Sequence, residues 1–369
     1  MKKLLLSLCM ILALGACKDE NKKEADVNTK PVVKIGVSLP LTGDAANVGN
    51  AVKASIGMAL DEWKQKNTKF DYQVVFEDDA LQTAKAAMVA NKFVNMDKVN
   101  AIMNIWGVTA PVVADVSEKT NTIFFTCAGY IDNEGKKYVF NNYTPVKRIS
   151  EALIRKLKKS DIKTVAFASD MNAVGDARAK YVVEDLQNAG IDVVAVERYV
   201  LGTVDFRMSI AKMEALNPDY YIIFVEQPGT KNFIEQHKQI VGKDNLAAID
   251  VFHEMPKKYW SVADGLWFVK SANGTPEFEN KFSEKTGLEI QSCVGNSYDN
   301  LNLIINAFES TPVTSGAVLP KNEDVLKQLH KAKDVNGAIG KISIDKYGNV
   351  DSLAVIQKMV NGEQVSDGE

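Results

Sequence analysis

The sequence predicts an α/β protein made of two doubly wound parallel-sheet lobes joined by a multi-crossover hinge. Three observations predict it. Short β-rich runs alternate with helical patterns, and that order builds parallel sheets with helices on both faces. A second series of the same kind begins near Ile149. Once a leader and a tether are set aside, about 335 residues remain, which suggests two domains rather than one.

The leader comes first. Lys2 and Lys3 precede an apolar run from Leu4 to Leu14. That run has the length of a signal-peptide core and is too short to span a bilayer. Leu14-Gly15-Ala16-Cys17 resembles a bacterial lipobox, whose cysteine becomes the acylated N-terminus after cleavage. The alternative is an ordinary secretory signal with an incidental cysteine; the small residues beside Cys17 favour lipidation. Residues 1–16 therefore read as a lipoprotein signal peptide. Residues 17–31 read as a flexible tether, because "KDENKKEADVNTK" is too polar and charged to bury a core. The mature protein is expected outside the cytoplasm, anchored to a membrane through Cys17, with its folded body starting near Val32.

The body follows in order. "VVKIGVSL" is a strand ending at Pro40, and "LTGDAANVGN" a glycine-bearing loop. Val52, Ile56, Leu60 and Trp63 then recur at helical spacing. "YQVVFEDDA", "VNAIMNIWG" and "NTIFFTCAG" are strands, separated by the helices "TAKAAMVANKFVNM" and "APVVADVSEKT". The second series runs through the helix "ISEALIRKLKKSD" and the strand "IKTVAFASD". The helix "GDARAKYVVEDLQNAG" closes on a glycine suited to a C′ cap. "DVVAVERYVL", "PDYYIIFVE", "NLAAIDVF" and "GLWFVK" are further strands. Three helices follow, and two alternating runs, "GKISIDKYGNV" and "SLAVIQKMVNGEQV", close the chain with antiparallel character. The expected division is 32–145 with 272–335 for lobe 1, and 146–271 with 336–364 for lobe 2. Several crossings between lobes make a hinge, and a hinge lets a cleft close on a ligand. Ligands of open α/β sheets sit at the carboxyl ends of the strands, after "VSLP", "NIWG", "TCAG", "ASD", "VEQP" and "DVFHE".

Composition narrows the function. A net charge of -3 leaves no nucleic-acid footprint. His237, His253 and His330 make no metal-ligand spacing, and no cofactor is expected. Cys127 and Cys293 remain in the mature chain, either paired or as two buried thiols. An enzyme is disfavoured, because no G-x-S-x-G elbow, H-E-x-x-H or Walker A loop is present.

The chain resembles the type I periplasmic binding proteins of ABC transport, in their leucine/isoleucine/valine-binding branch. The resemblance rests on the order of "IGVSLPLTGDAANVGN", "EDDALQTAKAAMVANKFV", "VNAIMNIWGVTAPVVADV", "DIKTVAFASDMNAVGDARAKYVVEDLQNAGIDVV", "SYDNLNLIINAF" and "GKISIDKYGNVDSLAVIQKMVNG". It covers Val32 to Gln364. It implies two lobes, a three-stranded hinge, and capture of a small polar solute for an ABC permease.

The resemblance also implies the site. Members that bind amino acids hold the carboxylate with a hydroxyl pair and backbone N–H groups after the third strand. Here that loop is Trp106-Gly107-Val108-Thr109, with one hydroxyl and a large ring. The next loop is Cys127-Ala128-Gly129-Tyr130, and Cys127, Ala128 and Tyr130 are candidates there. Val174 stands where the family often has a tyrosine. Glu226, Gln227 and His253 are the candidates of the second lobe, and Val48 that of the first loop. An ammonium needs a paired carboxylate once water is excluded, and the nearby candidates are Glu226 and, in "DVFHE", Asp250 and Glu254. The departures leave an aromatic or apolar amino acid, an amide or another small metabolite open. The competing function is a ligand sensor that uses the same lobe pair to signal to a membrane partner.

Overall fold

The structure, a computed structural model, describes residues 30–43, 45–252, 255–352 and 354–367. Cys17, the leader and most of the tether lie outside the described residues.

Strands β1 (Val32–Leu39), β2 (Asp71–Asp78), β3 (Ala101–Ile105), β4 (Ile123–Cys127) and β5 (Val139–Asn141) form a parallel sheet ordered β2-β1-β3-β4-β5. Helices α1 (Ala46–Lys64), α2 (Thr83–Lys92) and α3 (Ala110–Thr120) connect its strands. A parallel sheet covered on both faces needs apolar residues on both. In β4, Ile123 and Phe125 enter one core, while Phe124 enters another, beneath α2 and α3.

The second series repeats this plan. After α4 (Val146–Lys159) come β6 (Thr164–Asp170) and α5 (Ala173–Ala177). Helix α5 runs through a π-helical turn, Arg178–Val182, into α6 (Val183–Asn188). Then follow β7 (Asp192–Tyr199), α7 (Arg207–Glu214), β8 (Tyr220–Phe224), α8 (Gly229–Ile240), β9 (Leu246–Ile249) and β10 (Trp267–Ser271). Their order, β7-β6-β8-β9-β10, matches that of the first sheet. In both sheets the strand that comes first in sequence lies inside, so each has a topological switch point beside it. Both also start their first helix tight against that strand. A Cβ on Gly49 would lie 2.1 Å from the Pro40 carbonyl oxygen, and one on Gly175 2.0 Å from that of Asp170. Only glycine fits either position.

Helices α9 (Pro276–Thr286), α10 (Val294–Ser310) and α11 (Asn322–Leu329) return to the first core. There Ser55 Oγ donates to the Val294 carbonyl at 2.8 Å, and Trp63 Nε1 to Asn302 Oδ1 at 2.7 Å. A small antiparallel sheet follows, β11 (Val335–Gly337), β12 (Gly340–Ile344) and β13 (Val350–Asp351). Ile339, Ile342, Ile344 and Val350 are buried in the first core. This corrects the expected boundary: the first lobe runs on to Val350 rather than 335. Alternation marks a half-buried strand but does not say which lobe buries it. Only β14 (Ala354–Val360) and β15 (Glu363–Ser366) join the second sheet, antiparallel beyond β10.

Among the described residues the chain passes between the sheets three times, after β5, β10 and β13. The crossovers are tied by buried hydroxyls. Thr144 Oγ1 donates to Ser271 Oγ at 2.9 Å and lies 3.1 Å from Ser352 Oγ. Beside them the Arg148 guanidinium grips Asp351 with Nε at 2.7 Å and Nη2 at 2.6 Å.

Cys127 and Cys293 form a disulfide, with Cα atoms 5.9 Å apart, joining the end of β4 to the start of α10. No described helix is long and apolar enough to cross a membrane.

Candidate functional site

The loops at the carboxyl ends of the two sheets face one another across the hinge. In the first lobe, Trp106 follows β3 with φ of +69°, a left-handed conformation that a bulky side chain adopts only under constraint. Its N–H donates to the Cys127 carbonyl at 2.8 Å, and its half-buried ring packs against the first core. Gly107 and Gly129 leave the neighbouring surface bare of side chains. Val174 of the second lobe fills that space: its Cγ1 lies 3.4 Å from where a Cβ on Gly129 would stand, and its Cγ2 3.8 Å from that on Gly107.

The second lobe brings carboxylates to its side. Asp170 ends β6, and its Oδ2 accepts the Glu226 N–H at 2.6 Å. Asn172 caps α5 by accepting the Gly175 N–H at 2.8 Å, and its amide donates to Glu226 Oε1 at 3.2 Å. Burial pushes the Asp170 carboxyl up to about 6, helped by the facing Glu226 carboxylate and opposed by the Glu226 N–H and Arg198. Burial also raises the Glu226 carboxyl, against the Asn172 amide. Two carboxylates this close disfavour a shared negative charge and favour a cation beside them.

One turn beyond Val174, Arg178 pairs with Asp250, Nη2 to Oδ2 at 2.8 Å. Both side chains are buried. Asp250 follows β9 with φ of +63°. Tyr181, a further three residues along the helix, lines a cavity of about 310 Å³ together with Tyr130, Tyr143 and Tyr347. A cavity of this size suits a small metabolite.

Trp106, Gly107, Tyr130, Val174, Glu226 and Gln227 stand on these facing loops. Four candidates do not point into the space between them. Val48 lies in the first turn of α1 and packs against the first core. Thr109 is buried; its hydroxyl donates to the Ile105 carbonyl at 3.2 Å and accepts from the Asn104 amide at 3.2 Å. Cys127 is buried in the disulfide. Ala128 has both backbone groups bound to the Asn141 side chain, each at 3.0 Å, so its N–H is not open to an anion. His253 lies outside the described residues. Asp170, Arg178 and Tyr181 were not foreseen. The signal for Arg178 and Tyr181 was their spacing of four and seven from Val174, which puts them on its helix face.

The chain belongs to the periplasmic binding protein family, whose model matches residues 32–364. A leucine-, isoleucine-, valine-, threonine- and alanine-binding protein of Pseudomonas aeruginosa is 26% identical over 220 residues. That match spans 56% of this chain and 57% of that protein. A solved leucine-binding protein from Thermotoga maritima superposes with a TM-score of 0.76 at 21% identity, over 91% of this chain and 98% of its own. A solute-binding protein of an ABC transporter from Rhodopseudomonas palustris, solved with 3,4-dihydroxybenzoic acid, has a TM-score of 0.73 at 21% identity, over 91% and 95%. These likenesses show the fold.

Proposed function

We propose that this protein captures a small polar solute, an amino acid or a related metabolite, between its two lobes and delivers it to an ABC permease. The observation that carries this reading is the meeting of Val174 with Gly107 and Gly129. Loops from both sheets converge there, so a ligand held beside that contact touches both lobes. Only such differential contacts shift an open–closed equilibrium. Trp106 and Tyr130 supply aromatic walls, Gln227 a polar one, and Glu226 the carboxylate for a ligand cation. The protein acts outside the cytoplasm, moored through acyl chains on Cys17, and catalyses no reaction.

The test is a thermal-shift screen over amino acids, amides and small carboxylates, followed by small-angle scattering with any hit. A solute that raises the melting point by mass action and contracts the molecule at 1:1 stoichiometry supports capture. A library in which nothing binds overturns it. Loss of acylation in Cys17→Ser, read by mass spectrometry of the intact protein, tests the anchor.

A further inference from the structure

We infer that the tyrosine-lined cavity at the hinge edge binds an organic cation, and that the captured solute carries an alkylated ammonium group there. The inference rests on the capture reading above and names the class of solute. It starts from what lines the cavity. Tyr130, Tyr143, Tyr181 and Tyr347 all border a space of about 310 Å³. Asp132 and Glu134 border it too, and among the described residues no lysine, arginine or histidine does.

The four rings come from separate parts of the fold. Tyr130 lies on the loop after β4, Tyr143 on the crossover after β5, and Tyr347 in the turn between β12 and β13. Tyr181 comes from the second lobe, on the π-helical turn Arg178–Val182. Packing alone does not account for their meeting, since Tyr181 is 39% and Tyr347 42% exposed. The walls are braced from behind. The buried Asn133 amide donates to the Tyr347 carbonyl at 2.8 Å and to Asn349 Oδ1 at 3.0 Å, which ties the β4 loop to the β12–β13 turn. A ligand among these rings touches both lobes, as closure requires.

The charges favour a cation. Asp132 Oδ1 accepts the Glu134 N–H at 3.3 Å, and among the described residues neither carboxylate is paired with a lysine or arginine. Burial pushes the Tyr130 hydroxyl up, helped by Asp132, Tyr181 and Glu134 and opposed by Lys180, so negative charge outweighs positive around this ring. Two exposed cations already use the outer rings: Lys180 Nζ stands 4.8 Å from the Tyr181 centroid and Lys346 Nζ 4.7 Å from that of Tyr347. An alkylated ammonium has no N–H to satisfy. It asks only for aromatic faces and nearby negative charge, and this cavity supplies both.

The experiment compares choline with its neutral isostere 3,3-dimethyl-1-butanol by isothermal titration, on the unmodified protein and on the variants Y130L/Y181L and D132N/E134Q. Choline is expected to bind about tenfold more tightly than the isostere or better. Y130L/Y181L is expected to remove most of that preference. D132N/E134Q is expected to weaken choline about two- to fivefold and leave the isostere unchanged. Equal affinity for the two probes overturns the inference without any variant, as does a preference unchanged in Y130L/Y181L. If a solute from the wider screen contracts the molecule and choline does not bind, the cavity loses this role while capture stands. If choline binds with this preference and no solute contracts the molecule, the cation site stands and capture falls. If nothing binds, both fall.

Discussion

The Thr144 hydroxyl donates to the Ser271 hydroxyl at 2.9 Å, joining two crossovers 127 residues apart in sequence. Ser352 on the third crossover completes the cluster. All three are buried. Ser271→Ala is expected to lower stability by about 0.5–1.5 kcal/mol through the hydrogen bond lost from Thr144, measured by urea unfolding. An unchanged midpoint would show that the crossovers are not tied there.

Trp106→Ala and Glu226→Ala are each expected to weaken ligand binding about tenfold or more, with small changes in melting point. Trp106 is half-buried, and Glu226 is a raised carboxylate that the folded state disfavours in its charged form. Isothermal titration with whichever solute the screen yields checks this. Normal affinity in both variants would move the site elsewhere.

Asp170 makes stability depend on pH. Its folded value, about 6, exceeds the ordinary carboxylate value near 4. Between those values the folded state holds more protons than the unfolded one, so stability falls as pH rises. The contribution is fully present below about pH 4 and lost above about pH 6, a difference of about 1–3 kcal/mol. Asp170→Asn keeps an oxygen for the Glu226 N–H and is expected to flatten this part of the profile. Parallel pH profiles of wild type and variant would refute the assignment.

The Cys127–Cys293 bridge lies in the first lobe and closes a loop of 166 residues that holds the main segment of the second lobe. Reduction, or Cys127→Ser with Cys293→Ser, is expected to cost about 2–5 kcal/mol. The readout is the melting point with and without dithiothreitol. No difference would mean that the bridge does not form in solution.

The architecture was legible because its signals are local. The alternation of runs such as "VNAIMNIWG" with helical spacing at Val52, Ile56 and Leu60 predicted the doubly wound lobes. Strands β5 and β11, at three residues each, are too short to carry a period and were missed. The rule that ligands gather at strand ends put the candidate site on the loops that carry Trp106, Val174 and Glu226. Thr109 was misjudged because a hydroxyl after a strand reads the same whether it faces a ligand or closes its own helical turn onto Ile105.

The sequence by itself determined the order of strands and helices, the two-lobe plan and the family, since periodicity and turn chemistry act over a few residues. Tertiary structure alone decided the pairing of Cys127 with Cys293, the burial of Ile342 and Val350 in the first lobe, and the meeting of Arg178 with Asp250. The two pairs lie 166 and 72 positions apart in sequence. Nothing local encodes them, because they exist only once both sheets have folded and their faces compete for the same apolar and charged partners.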